Sequence, residues 1–257
     1  WGKANGKIIV SPDIPTPGLA TNNPNFIQMN PSLRAHCLAM LKKALLTHKP
    51  DEIVLVCKEK ERDRLAFFQE NSPSRLAEIV VPDASETFTT DLKPFFKPGK
   101  SIVFLVPHWA SQDFVNSFFQ KIKAQLGKSN VEIFGMPQWK NFENIEGDDF
   151  EMLHVSLAMA RFQQQDQPES AEFYQNFYKE TGTAPDNDAL NGYDTMMFLG
   201  KMLRKNGLDF PKKLATEKSR GLSSQFVFAK NGTENAVNYW ENMGVFVVRF
   251  ENGRFEE

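Results

Sequence analysis

Apolar and polar positions alternate between two periods along this chain, and the clearest switch lies in residues 101–139. Ser101 to Val106 is a short apolar run with a β-branched bias, stopped by Pro107. Phe114, Phe118, Phe119 and Ile122 then recur at helical spacing before Leu126 and Gly127. Val131 to Phe134 is a second short apolar run. A strand, a helix and a strand in this order predict a right-handed βαβ unit, hence a parallel sheet with helices on its faces. Both strands end in clusters, Pro107-His108-Trp109 and Met136-Pro137-Gln138-Trp139. Ligands of open α/β sheets sit at the carboxyl ends of strands, so these two loops are the first candidates for a site.

The same reading extends to both sides. Strands are expected at Lys7 to Val10, Glu52 to Cys57, Ala77 to Val81 and His154 to Met159, with a brief extended piece at Phe26 to Met29. A helix should start at Asn30-Pro31-Ser32, with Leu33, Cys37, Leu38, Leu41, Leu45 and Leu46 on its apolar face. The run Lys58 to Arg64, KEKERDR, alternates acid and base and reads as a solvated helix start. Asn187 to Arg204 is the most periodic helix, and Leu190, Tyr193, Met196, Met197, Gly200 and Leu203 are assigned to its buried side. Gly221 to Ala229 reads as a strand with a turn at Lys230-Asn231-Gly232, and Glu251-Asn252-Gly253-Arg254 as the turn of a final hairpin. The order βαβαβαβ with a late antiparallel pair predicts a three-layer α/β protein.

Composition adds limits. A chain of 257 residues with 41% hydrophobic content can bury a core, much of it Phe, of which there are 23. A formal net charge of -2 gives no general pull toward nucleic acid or anionic lipid. No apolar stretch has the length of a membrane helix. Cys37 and Cys57 lie in apolar contexts and read as buried free thiols, with a disulfide open if their elements meet. The chain opens at Trp1 rather than Met, which suggests a processed or truncated product.

Catalytic chemistry finds little support. There is no glycine-rich phosphate loop, nucleophile elbow, HExxH or CxxC, and no cofactor is expected. Among the four histidines only His108 falls at a strand-end loop, and Ser111 beside it reads as a helix cap. The acids Glu143, Glu146, Asp148 and Asp149 lack calcium-loop spacing and read as a surface turn, so no metal is expected.

An ordered set of strings carries a family resemblance. IIVSPDIPTPGL, NPNFIQMNPS, EIVLVCKEKERDR, SIVFLVPHWASQDFVNSFFQKIKAQLG, VEIFGMPQW, FYKETGTAPDNDALNGYDTMMFLGKML, and GLSSQFVFAKNG through VFVVRFENGRF run in one order over almost the whole chain. The most distinctive is the helix with Ala189, Gly192, Tyr193 and Asp194, preceded by Thr181-Gly182 and Pro185. The chain resembles the type I periplasmic binding proteins, in particular those for branched-chain amino acids in ABC transport. That resemblance implies two α/β lobes with ligand held in the cleft, a mostly parallel sheet in each, and a first lobe that is incomplete here. Carried over, residues 1–28 and 152–228 would form lobe one, and 29–151 and 229–257 lobe two with a crossing hairpin.

The resemblance also implies site positions. Ser11 and Thr16 lie at the edge of the region that grips a ligand carboxylate. Arg62 stands where an aromatic follows the strand ending at Cys57. Trp109 stands where a second aromatic follows Val106, and His108 and Trp139 neighbour it. Gln138 occupies the place of an acid that pairs with the ligand's ammonium, and an amide there removes a charge-assisted bond. The expected function is non-catalytic binding of a small polar solute, amino-acid-like or peptidic, for uptake. The expected location is the periplasm or cell envelope, and the expected partner a membrane permease or another envelope protein. An interaction or regulatory module that keeps the fold without transport is the alternative.

Overall fold

The structure is a computed structural model that describes residues 2–13, 20, 22–163, 168–233 and 236–257. In chain order its elements are β1 (Ile9–Ser11), β2 (Phe26–Gln28), α1 (Leu33–Ala44), β3 (Ile53–Lys58), α2 (Ala66–Gln69) and β4 (Ala77–Val81). Next come β5 (Ser101–Leu105), α3 (Gln112–Gln125), β6 (Asn130–Gly135), α4 (Gly147–Met152), β7 (Val155–Met159), α5 (Pro168–Thr181) and α6 (Asn187–Asn206). The last five are β8 (Lys218–Arg220), β9 (Gln225–Thr233), β10 (Ala236–Asn242), β11 (Phe246–Glu251) and β12 (Arg254–Glu256). The chain divides into two units, residues 1–35 with 160–245 and residues 36–159 with 246–257.

The unit built on residues 36–159 holds a seven-stranded sheet in the order β12-β11-β7-β6-β5-β3-β4. From β7 to β4 every pairing is parallel, and β11 and β12 add antiparallel pairs at one edge. All residues of β3 and β7, and all but the first of β5, are buried. A strand buried on both faces needs cover on both, which is why these segments read as unbroken apolar runs. Much of that cover is Phe: Phe88, Phe104, Phe114, Phe118, Phe119 and Phe150 meet one another or Trp139 largely edge-to-face. α3 begins where the Ser111 hydroxyl accepts the Phe114 N–H at 3.2 Å, and buries Phe114, Val115, Phe118, Phe119 and Ile122.

The other unit has a five-stranded sheet in the order β1-β2-β10-β9-β8. β1, β2 and β10 are parallel, and β9 runs antiparallel to β10 and β8. Phe198 and Met202 of α6 pack with Ile27, Phe226, Phe228 and Trp240 in its core. α6 is capped by Asp186, whose carboxylate accepts the N–H groups of Asp188 and Ala189.

Four expectations shift. The boundaries expected at 152 and 229 move, because β7 pairs with β6 and β11 and stays in the seven-stranded sheet. β9 and β10 pair in the five-stranded sheet, so only the β11–β12 hairpin returns. The turn expected at Lys230-Asn231-Gly232 is instead strand: Asn231 faces Tyr239 and Gly232 faces Val237 across the β9–β10 ladder. The apolar side of α6 is also rotated. Leu190, Asp194, Phe198 and Met202 point inward, while Met196 is 68% and Met197 46% exposed. No helix among the described residues is long and apolar enough to cross a membrane.

Candidate functional site

The carboxyl ends of β3, β5 and β6 bring three loops together in the unit built on residues 36–159. After β3 the chain makes a tight helical turn, Glu59–Leu65, that buries Glu61 and Leu65. The Glu61 carboxylate caps this turn by accepting the Lys58 N–H at 3.4 Å. It accepts a hydrogen bond from Nδ1 of His108 at 2.8 Å and pairs with Nη1 of Arg64 at 2.8 Å. Arg64 Nη1 also donates to the Pro107 carbonyl at 2.8 Å, and its guanidinium lies 3.9 Å from the centre of the Trp109 ring. A stacked, doubly bonded guanidinium is held in one plane.

His108 is 1% exposed. The Ser111 N–H donates to its Nε2 at 3.1 Å, so Nε2 is the acceptor and the proton sits on Nδ1, facing Glu61. Burial pushes the Glu61 carboxyl up, but the hydrogen bond from His108, the Arg64 charge and the Lys58 N–H together hold it below the usual carboxylate range. Trp139 is wholly buried beneath this group. Its indole N–H donates to the His108 carbonyl at 2.7 Å, and its ring packs on Phe119. Gly135 permits that arrangement, since a Cβ there would lie 2.3 Å from the Trp139 ring.

The positions expected from sequence therefore separate. Trp109 is half-buried and presents its ring to Arg64. Gln138 is exposed on the turn Pro137–Asn141. His108 and Trp139 are corrections: both are sealed in, with both imidazole nitrogens and the indole N–H already bonded within the chain. Neither offers a group to a solute. Arg62 is also displaced, because its side chain is 66% exposed and lies 3.8 Å from Glu78, whereas Arg64 reaches the loop of β5. Ser11 ends β1 in the other unit and donates to the Asp13 carbonyl at 2.9 Å. Thr16 lies outside the described residues.

Sequence reasoning missed Lys58, Glu61 and Arg64 by taking their run as a solvated face. The available signal was the Glu61/Arg64 spacing of three directly after a buried strand, opposite Pro107-His108-Trp109. Among the described residues no group of three or more His, Cys, Asp or Glu could hold a metal ion. Asp149, one of the acids in the turn after Trp139, pairs with Lys123 at 2.6 Å.

The fold with these strand-end loops is that of the type I periplasmic binding proteins. A putative branched-chain amino acid ABC transporter protein of Rhodospirillum rubrum matches 99% of this chain and 74% of its own, with a TM-score of 0.68 and 15% identity. An ABC transporter substrate-binding protein of Desulfitobacterium hafniense in complex with Leu matches 99% of this chain and 74% of its own, at TM-score 0.56 and 14% identity. Full-length LpoA of Haemophilus influenzae matches 99% of this chain over 44% of its own, at TM-score 0.56 and 13% identity. No family model and no curated protein matches the sequence.

Proposed function

We propose that the chain binds a small polar solute, without chemistry, at the carboxyl ends of β3, β5 and β6. The observation that carries this reading is the Glu61–His108–Arg64–Trp109 group, which fixes one cation on one aromatic at the sheet end where α/β ligands sit. The fold supports it, since the matched Rhodospirillum and Desulfitobacterium proteins are named as ABC-transport proteins and one carries Leu. On this reading the chain works in the periplasm or cell envelope and hands its solute to a membrane permease. Native mass spectrometry against the denatured mass tests it. A reproducible excess mass, lost on denaturation and reduced in Trp109→Ala, is expected, with affinity falling at least about tenfold. A bare wild-type mass, or unchanged occupancy in the variant, overturns it.

One feature favours a second reading, an envelope interaction module. Tyr178, Tyr193, Met196 and Met197 on α5 and α6 are 61%, 38%, 68% and 46% exposed. Beside them is a cavity of about 550 Å³ lined by Tyr193, Met197, Lys201 and Arg220 among others. Met196→Glu with Met197→Glu should then abolish a specific cross-link to one envelope protein while leaving solute occupancy intact. Retention of the cross-link excludes this face.

A further inference from the structure

One face of the five-stranded unit is left without cover. α5 runs for 14 residues and buries only Ser170. Its apolar side chains Phe173, Tyr174 and Phe177 stay half-buried, and the ring centre of Phe173 lies 4.5 Å from that of Tyr193 on α6. Leu203 continues the exposed row of Tyr193, Met196 and Met197 along α6, at 43% exposure. Large apolar side chains gathered on one face, rather than scattered singly, mark a surface that another molecule covers.

The charges around this patch are sorted by sign. Glu180, Asp186 and Asp188 stand at the end where α5 stops and α6 begins, with Lys179 as the one base among them. Lys201, Arg204 and Lys205 stand at the other end of α6, with no acid between them. Asp186 is used as the helix cap, and Lys205 pairs with Glu217 at 2.5 Å. Among the described residues Glu180, Asp188, Lys201 and Arg204 form no ion pair within the chain.

A helix with an acidic start, an apolar middle and a basic end is complementary to itself. α6 has 20 residues and is about 30 Å long. A second α6 laid antiparallel on it, about a two-fold axis near Met196, sets the acidic end of each against the basic end of the other. A parallel pairing would set acid on acid and base on base. The opposed helix dipoles favour the antiparallel arrangement as well. Gly192 and Gly200 stand four positions either side of Met196, and nothing lies within 4 Å of where a Cβ would sit on either, so a second backbone has room to approach. A formal net charge of -2 sets no strong repulsion between copies.

We propose that this face docks a second copy of the chain, α6 against α6 in antiparallel, as a two-fold dimer. The dimer rests on the interaction reading above and supplies the chain itself as the partner.

Sedimentation equilibrium of the full chain tests it. Between about 1 µM and about 1 mM chain the mean mass should reach twice the 29.3 kDa of one copy. Met196→Glu should raise the dimer dissociation constant at least about tenfold. Glu180→Lys with Asp188→Lys makes both ends of the face basic, and Lys201→Glu with Arg204→Glu makes both ends acidic. Each of these chains should stay monomeric alone, and the two should pair when mixed, which damage to the fold cannot produce. Circular dichroism checks that each variant folds. A wild-type mass that holds at 29.3 kDa throughout, a dimer untouched by Met196→Glu, or folded charge-reversed chains that fail to pair when mixed overturns the assignment. A monomeric chain that cross-links to a different envelope protein, with the link lost in Met196→Glu with Met197→Glu, defeats self-docking and keeps the interaction reading. A monomeric chain with no such cross-link defeats both.

Discussion

Glu61 and Asp194 are buried to the same degree, each 1% exposed, and they do different work. Asp194, on α6, accepts the N–H groups of Leu222 and Ser223 at 2.6 and 2.8 Å and the Ser223 hydroxyl at 2.9 Å. Every donor comes from one short loop, and Gly221 leaves the room, since a Cβ there would lie 2.3 Å from the carboxylate. Glu61 is satisfied instead by one backbone N–H, one imidazole and one guanidinium. An anion bonded to backbone donors pins a loop and has nothing left to present. An anion bonded to side chains orients those side chains, and with them whatever they still offer outward. Burial of a carboxylate alone does not mark function; the identity of its donors does.

The largest effect should come from the pinned loop. Asp194→Ala leaves the Leu222 and Ser223 amides buried without an acceptor and should cost about 3–5 kcal/mol. Glu61→Ala should cost less, about 2–3 kcal/mol, because Arg64 can turn toward water. Urea unfolding of both variants checks the order. Equal losses would break the contrast between a pin and an orienting group.

Acid should separate the Glu61 side further. A carboxyl whose folded pKa lies below its unfolded value contributes stability that is present above the ordinary range and lost as pH falls through the folded value. Glu61 is such a group. The melting-temperature gap between wild type and Glu61→Gln should therefore be widest at neutral pH and shrink below about pH 4. A gap constant with pH would mean that the Glu61 charge adds nothing to the fold.

The two tryptophans of the strand-end loops sharpen the same division at smaller scale. Trp139→Phe removes the bond to the His108 carbonyl inside the core and should cost about 1–2 kcal/mol. Trp109→Phe keeps a ring under Arg64 and should change stability by less than about 1 kcal/mol while weakening solute binding. Thermal unfolding and calorimetry on each variant separate the two roles.

Period and punctuation carried the seven-stranded sheet well. β4 runs over Ala77–Val81 as read, and the final hairpin turns at Asn252 and Gly253, both with positive φ as an Asn-Gly turn requires. Where the reading failed, a partner distant in sequence decided. Asn231-Gly232 is the same dipeptide, yet pairing with β10 draws it into a strand. On α6 the apolar residues are distributed so widely that two faces fit the helical period, and the sheet core takes Phe198 and Met202 rather than Met196 and Met197. In KEKERDR the alternation of charge hides Glu61, because its burial depends on His108, which lies 47 positions away. The strand-end loops were legible as a place. Which of their side chains face inward was not, since an imidazole and an indole look alike in sequence whether they meet a solute or a carbonyl.

The two thiols offer the gentlest test, because both lie in the unit that contains Glu61. Cys37 and Cys57 are buried and unpaired. Burial first of all pushes each thiol up to about 12, with the charges of Glu61 and Glu78 adding to the rise at Cys57. Neither thiolate should form in the native chain near neutral pH, so labelling by an aromatic disulfide reagent should be slow there and complete in denaturant. Cys57 directly precedes Lys58 on β3, which makes its labelling rate a reporter of local opening at the strand-end site. Glu61→Ala should raise that rate, because it frees the turn that caps β3. Asp194→Ala, though the costlier substitution, should leave it unchanged if its loop opens within its own unit. Equal acceleration by both variants would show that the pin and the orienting group belong to one cooperative transition, and their contrast would then lie in contacts alone rather than in stability.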